Sequence, residues 1–259
     1  MNLRLNESTN PIISSVRKER KEQSQSYSYV TGETATFSGI ATKTGFLIAV
    51  IFGVSIFIWL SFDRLATILL PSLYISAFVG LISVALAQWT RYKALFTTVY
   101  AVSEGVVLGT LTFAVRMVLP EGGAIVVTAI ALTFAIFGFL LVAYSTGLFK
   151  VGFGFRKVVY SVMFGLVIGY LILMILSLFG INVFAALPFG AHVALSVFFI
   201  ILASFNLLID FDDCKRGVEY GLPKQYEWVL TLGLLVSIVW LFVEVLRLLL
   251  ILASRARER

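Results

Sequence analysis

Charged residues are scarce in this sequence. Asp, Glu, Lys and Arg make up 13% of the 259 residues, and hydrophobic residues make up 59%. A typical globular domain has about 25% charged and about 45–50% apolar residues. A soluble fold of this length has too little interior to bury so much apolar surface, so the composition excludes a soluble protein and indicates a membrane protein.

The sequence also has a single cysteine, Cys214, and a single histidine, His192. One cysteine excludes an internal disulfide and a cysteine-based metal cage, and one histidine excludes a multi-histidine metal site. His192 is interpreted as a capping or interfacial residue. No phosphate-binding loop, dinucleotide fingerprint or metal motif is found, so no cofactor is predicted.

Long apolar runs make up most of the sequence from residue 45 onward. A helix that crosses the hydrocarbon layer needs about 20 mainly apolar residues, and backbone groups in hydrocarbon must be hydrogen-bonded within their own segment, which favours helices. The uncharged run Val158–Ile209 is too long for one crossing, and it contains Gly180, Asn182 and Pro188, so we divide it in two. The other blocks are Gly45–Phe62, Leu65–Thr90, Ala94–Val115, Gly122–Phe149 and Trp228–Ser254. We predict an all-α, polytopic bundle of seven transmembrane helices.

The two ends of the chain differ in composition from these blocks. Residues 1–43 are polar, with a basic cluster at 17–21, and are predicted to form a disordered cytoplasmic tail. Residues 44–254 are predicted to form the transmembrane domain and residues 255–259 a basic C-terminal tail. The first 30 residues lack the apolar core of a cleaved signal peptide, so the first span is expected to serve as the insertion signal.

Lys and Arg residues predict the orientation. With seven crossings, fourteen of them fall on the N-terminal side and six on the other side, so the N-terminus is predicted to be cytoplasmic, in a multi-pass protein of the inner cell membrane. The net charge of +6 is interpreted as a signal for orientation and for attraction to anionic lipid, and no nucleic-acid partner is expected. The basic C-terminus conflicts with this orientation. Six crossings followed by a re-entrant last segment remain an alternative.

Two pairs of glycines have the spacing that lets membrane helices approach closely. They are Gly105/Gly109 in the third span and Gly165/Gly169 in the fifth. Both pairs are predicted to mark tight helix crossings.

Three carboxyl groups lie within the apolar spans, where a charged residue costs roughly 2.5–3.5 kcal/mol at the centre. Glu104 is in the middle of the third span, Asp210 is near the end of the sixth, and Glu244 is deep in the seventh. The depths of Asp210 and Glu244 differ by about two helical turns, which a tilt can absorb, so the two could face each other. Such a pair would share a proton and, when ionised, would offer calcium a weak, transient site completed by water.

Each acid also has a simpler interpretation. Glu244 could pair with Arg247 one turn away, and Asp210 could belong to an ordinary charged helix end. Glu104 could stabilise a polar network between helices. Arg91, which follows Trp89 and precedes Tyr92, is interpreted first as an interfacial anchor.

Two stretches carry a resemblance to a known family. They are Ala87-Gln88-Trp89-Thr90-Arg91 through Glu104-Gly105, and Phe205-Asn206-Leu207-Leu208-Ile209-Asp210-Phe211-Asp212 through Trp228 and Val239–Leu249. The order and spacing of these stretches resemble those of the Bax inhibitor-1 (transmembrane Bax inhibitor motif) family, in its prokaryotic-type branch. The resemblance covers most of residues 45–252.

The resemblance implies a seven-helix bundle with the last helix central and a pH-sensitive calcium leak. It implies a sensor of two acids on helices six and seven, here Asp210 and Glu244, with Arg91 as an ionic partner. The sequence departs from the family at Glu244, which is Glu where Asp is usual and lies farther from Asp210 than in typical members.

Two functions are weighed. The first is a proton-regulated pathway for calcium or another cation, with Glu104 as an additional polar lining residue. The second is a regulatory or scaffold protein that binds membrane proteins such as proteases, with the tail as its docking segment. An enzyme is not expected, because the contexts that intramembrane serine or diaspartyl proteases require are missing.

Overall fold

The computed structural model of the protein describes the backbone of residues 33–180 and 187–257, and the side chains of these residues except 62–70 and 257. Within these ranges the chain is helical, and seven helices are long and apolar enough to cross a membrane. The predicted all-α, seven-span architecture is therefore confirmed. The helices are α1 Phe37–Leu60, α2 Phe62–Trp89, α3 Lys93–Val118, α4 Gly122–Ser145, α5 Phe153–Leu178, α6 Phe189–Glu219 and α7 Glu227–Arg257, with a 3-10 turn at Lys224–Tyr226.

The first helix begins earlier than the sequence predicts. Thr36 caps its N-terminus by accepting a hydrogen bond from the backbone N–H of Gly39, at 3.0 Å. Residues 37–43, which the composition assigns to the tail, therefore form the first turns of α1. The rest of the predicted tail, residues 1–32 with the basic cluster at 17–21, lies outside the described residues.

The long uncharged run does divide into two helices. Gly180 follows the end of α5 with a φ of +79°, a conformation that glycine adopts without strain. Pro188 precedes the first turn of α6. Residues 181–186 between them lie outside the described part of the chain.

The last helix is unbroken over 31 residues, which corresponds to about 46 Å at the helical rise. That length is enough for a complete crossing, so the structure favours seven spans over the re-entrant alternative. Helix α7 packs against α1, α2, α3, α4 and α6, and Leu235, Leu241 and Leu246 on it are fully buried. It is the central helix, as the family resemblance implies.

Helix α5 lies at the periphery of the bundle. It packs against α6, and of its residues only Val159 is buried. A Cβ added at Gly165 or Gly169 would contact nothing within 4 Å. The prediction that this pair marks a tight crossing is therefore wrong for the single chain.

The other glycine pair does mark a close approach. A Cβ at Gly105 would lie 2.6 Å from Cβ of Val54, and one at Gly109 would lie 2.9 Å from Cα of Ser55. Ser55 also donates a hydrogen bond to the carbonyl of Gly105, at 2.9 Å. The two glycines thus bring α3 against α1, as predicted.

Candidate functional site

A cavity of about 520 Å³ lies between α2, α6 and α7, at the end of the bundle where the α6–α7 connection runs. Its outer part includes the exposed side chains of Gln88, Arg216 and Tyr220. Toward the bundle interior, Asp210 and Asn206 follow along α6. The polar and charged lining residues are Gln88, Asn206, Asp210, Asp213, Arg216 and Tyr220.

Asp210 contacts α7 through a hydroxyl group. The hydroxyl of Ser237 donates a hydrogen bond to Oδ2 of Asp210, and the side-chain amide of Asn206 donates one to Oγ of Ser237, at 2.7 Å. Gly233, one turn before Ser237, permits this approach, because a Cβ there would lie 3.1 Å from Oδ1 of Asp210. The three polar side chains form a hydrogen-bonded chain across the α6–α7 contact.

The neighbouring acids on α6 are held by cations. Asp212 accepts hydrogen bonds from Nη2 of Arg156 at 2.5 Å, from Nε of Arg216 at 2.6 Å and from the Tyr144 hydroxyl at 2.9 Å. Asp213 is 2.6 Å from Nη1 of Arg156. Among the described residues, Asp210 is in no ion pair, so it is the acid of this cluster without a cation.

Glu244 lies away from Ser237, the α7 residue that contacts Asp210. It lies seven residues beyond Ser237 on α7, which places it about 10 Å farther along the helix axis. Its own ionic contact is with Arg247, whose Nη1 is 3.8 Å from Oε2. The coupling of Asp210 to Glu244, and the weak calcium site that these two acids would form, therefore stay predictions, and the hydrogen-bond partner of Asp210 on α7 is Ser237. The continuous rise of α7 separates Ser237 from Glu244.

Arg91 is not bonded to Asp210 either. Its side chain is exposed, donates a hydrogen bond to the Tyr92 hydroxyl at 2.9 Å, and lies over the Tyr92 ring, 5.1 Å from its centroid. This geometry fits the interfacial-anchor interpretation. The cation that another helix brings to the acids of α6 is Arg156, from the first turn of α5.

Glu104 and His192 lie away from the cavity. A Cβ at Gly80 would be 3.8 Å from Oε1 of Glu104, so this half-buried acid faces α2. The cavity lining does not include it. Nδ1 of His192 is 3.3 Å from the carbonyl oxygen of Pro188, a local contact in the first turn of α6.

The sequence was compared with known protein families. Residues 10–254 match the family described as Bax inhibitor 1 like, which covers almost the whole chain. The protein belongs to the Bax inhibitor 1 like family. No curated protein matches this chain.

The family match covers more of the N-terminal tail than the sequence resemblance does. The match begins at residue 10, whereas the resemblance begins near residue 45, so part of the polar tail belongs to the family region. In this Bax inhibitor 1 like protein, the residue of α7 that contacts the acid of α6 is Ser237.

In the described part of the chain, no cluster of three or more His, Cys, Asp or Glu residues could hold a metal ion. The side-chain oxygen atoms of the hydrogen-bonded chain at Asp210 are those of its own carboxylate, the Ser237 hydroxyl and the Asn206 amide, and the Asp213 carboxylate lines the same cavity. Calcium takes about 6–8 oxygen ligands, so most of its ligands here would be water.

Two residues of the site are not predicted from the sequence. Ser237 lies in a continuous apolar run, although its spacing of four from Gly233 places two small residues on one helix face. Arg156 is one of the basic residues that predict the orientation, and no sequence signal pairs it with Asp212, which is 56 positions away.

Proposed function

We propose that the protein provides a proton-sensitive pathway for cations, calcium being the one expected, with Asp210 as the titrating group. The observation that supports this proposal is the carboxyl group of Asp210, which has no ion-pair partner among the described residues and lines a cavity between three membrane-spanning helices. We further propose that the protein is a multi-pass protein of the inner cell membrane with a cytoplasmic N-terminus, and that it is not an enzyme.

The charges around the cavity give the direction of the pH effect. Three carboxylates of α6 face two guanidinium groups, those of Arg156 and Arg216, so the cluster has one net negative charge when Asp210 is ionised. Ser237 of α7, which donates a hydrogen bond to Asp210, and Gln88 of α2, which lines the same cavity, are neutral. Protonation of Asp210 removes the excess charge and with it the attraction for a cation. Cation binding should therefore weaken as the pH falls.

The test is calcium flux into proteoliposomes that contain the full-length protein, measured over a range of pH. We expect the wild-type flux to change with pH and the change to disappear in Asp210→Asn, which keeps the shape of the side chain but cannot ionise. A wild-type pH profile in Asp210→Asn would contradict the assignment.

Glu244→Gln and Arg91→Gln are the matched controls. If Asp210 titrates without Glu244, the Glu244→Gln variant should retain the pH profile of the wild type. If Arg91 is an interfacial anchor, its substitution should also leave the profile unchanged. Loss of the pH dependence in Glu244→Gln would instead support the coupled acidic pair that the sequence predicts.

A regulatory role remains the second candidate, since the N-terminal segment contacts the α6–α7 connection. The backbone N–H of Ala35 donates to the carbonyl of Leu222 at 2.7 Å, and that of Lys224 donates to the carbonyl of Glu33 at 3.1 Å. Leu222 also lines the cavity. A partner that binds the tail could therefore act on this end of the bundle, although the basic cluster itself is outside the described residues.

A further inference from the structure

A second cavity opens on the outside of the bundle, away from Asp210. It has a volume of about 290 Å³ and lies between α1 and α4, with α3 and α7 beneath it. Ile56 and Val127 at its edges are exposed, and Leu235 and Ile238 of α7 are buried beneath it. We call this cavity the α1–α4 groove.

The lining of the α1–α4 groove is apolar. The three hydroxyl-bearing residues in its lining use their hydroxyl groups within the protein. Ser55 donates to the carbonyl of Gly105, Thr112 to that of Leu108 and Thr133 to that of Ala129. A ligand here therefore gains contact with apolar surface and no hydrogen bond from these hydroxyl groups.

The length of the groove matches one leaflet of a bilayer. On α1 its lining runs from Ile48 to Trp59, a distance of about 16 Å at the helical rise. The hydrocarbon layer is about 30 Å thick, so the groove extends over about half of it. An acyl chain in one leaflet has about this length, and it runs in the same direction as α1, across the membrane.

A cation and an indole ring lie at the outer end of the groove. The guanidinium carbon of Arg116 is 5.4 Å from the centroid of the Trp59 ring, and Trp59 Nε1 donates to the hydroxyl of Thr112 at 3.0 Å. Arg116 is exposed and is in no ion pair with a described carboxylate. Its charge is thus positioned where the headgroup of a lipid in the groove would lie.

We propose that the α1–α4 groove binds one anionic phospholipid, with an acyl chain along α1 and α4 and the phosphate at Arg116 and Trp59. This site lies in the leaflet opposite the N-terminal end of the bundle and does not depend on ion conduction. Its specificity has two sources, the apolar groove for the chain and Arg116 for the negative headgroup.

Native mass spectrometry of the full-length protein in detergent tests the proposal. The protein is mixed with equal amounts of phosphatidylglycerol and phosphatidylcholine that have identical acyl chains. We expect the complex with one lipid to contain phosphatidylglycerol in about fivefold excess, the factor expected for one basic residue near the headgroup. Arg116→Gln should bring the ratio close to one, and Arg116→Lys should keep most of the preference.

Two further variants separate the groove from surface charge. Arg255→Gln removes an arginine from the same end of the bundle, where it lies over the Phe189 ring, and should keep the preference. Val127→Trp fills the groove from its exposed edge and should reduce binding of both lipids. Size-exclusion profiles and melting temperatures show that each variant is folded.

Three results would overturn the proposal. They are equal binding of both lipids by the wild type, the same loss of preference in Arg255→Gln as in Arg116→Gln, and undiminished phosphatidylglycerol binding in folded Val127→Trp.

Discussion

At the scale of single residues, what distinguishes Asp210 from its neighbours is its set of partners. Asp212 and Asp213 are held by arginines at 2.5–2.6 Å. Asp210 instead accepts from Ser237, whose hydroxyl is neutral. A carboxyl without a cation in the membrane must find polar contacts or water, and groups in this situation mark ion or proton pathways.

The position of Ser237 allows a direct test of acid pairing. Ser237→Asp places a second carboxyl group against Asp210, and two carboxyls in contact titrate as a coupled unit. We expect the pH dependence of calcium flux to become steeper or to show two steps. Ser237→Ala, which removes the hydroxyl without adding an acid, should keep a single step. An unchanged profile in folded Ser237→Asp would contradict the α6–α7 contact described above.

The sequence alone identifies Asp210 as an acid in a membrane span but not its partner. The sequence places Asp210 and Glu244 at depths that differ by about two helical turns. Two turns are about 10 Å along the helix axis, so the sequence does not decide whether the two side chains are in contact. The position of α7 along its axis relative to α6 depends on the α6–α7 connection. There, Gly221, the 3-10 turn and the pairing with residues 33–36 determine where α7 begins. These are contacts between distant parts of the chain, which hydropathy does not report.

At the scale of helices, hydropathy predicts the spans better than it predicts their ends or their packing. All seven spans are found, because about 20 apolar residues are a strong signal. Helix α1 starts earlier than hydropathy predicts, because the polar, half-buried Lys43 lies in its first turns and has a partner on another helix. Its ammonium group pairs with the fully buried Glu227 of α7. The two glycine pairs look alike in sequence, yet only Gly105/Gly109 faces another helix of the chain.

The glycine pairs give a prediction about stability. Gly109→Val places a branched side chain against the α1 backbone, and overpacking of this kind costs about 1–3 kcal/mol. The melting temperature in detergent should fall by several degrees. Gly169→Val is the matched control, because its side chain enters open space beside α5, and it should leave the melting temperature nearly unchanged. Equal effects of the two substitutions would argue against the close α1–α3 contact.

At the scale of the whole molecule, seven helices are long and apolar enough to cross a membrane, and seven complete crossings would place the two ends of the bundle on opposite sides. The basic C-terminus then lies on the side that the distribution of Lys and Arg disfavours. The 31 residues of α7 form one helix in the centre of the bundle. Its packing against five other helices is an interaction that the distribution of Lys and Arg does not report.

Accessibility to a membrane-impermeant maleimide tests this arrangement. In a Cys214→Ser background, single cysteines are introduced as Glu121→Cys, Gln225→Cys and Ser254→Cys and labelled in intact cells and in inverted vesicles. Position 121 lies in the α3–α4 connection and position 254 in the last turn of α7, so both should label from one side. Position 225, in the α6–α7 connection, should label from the other. A re-entrant α7 would place positions 225 and 254 on the same side, because only a complete crossing separates the residues at its two ends.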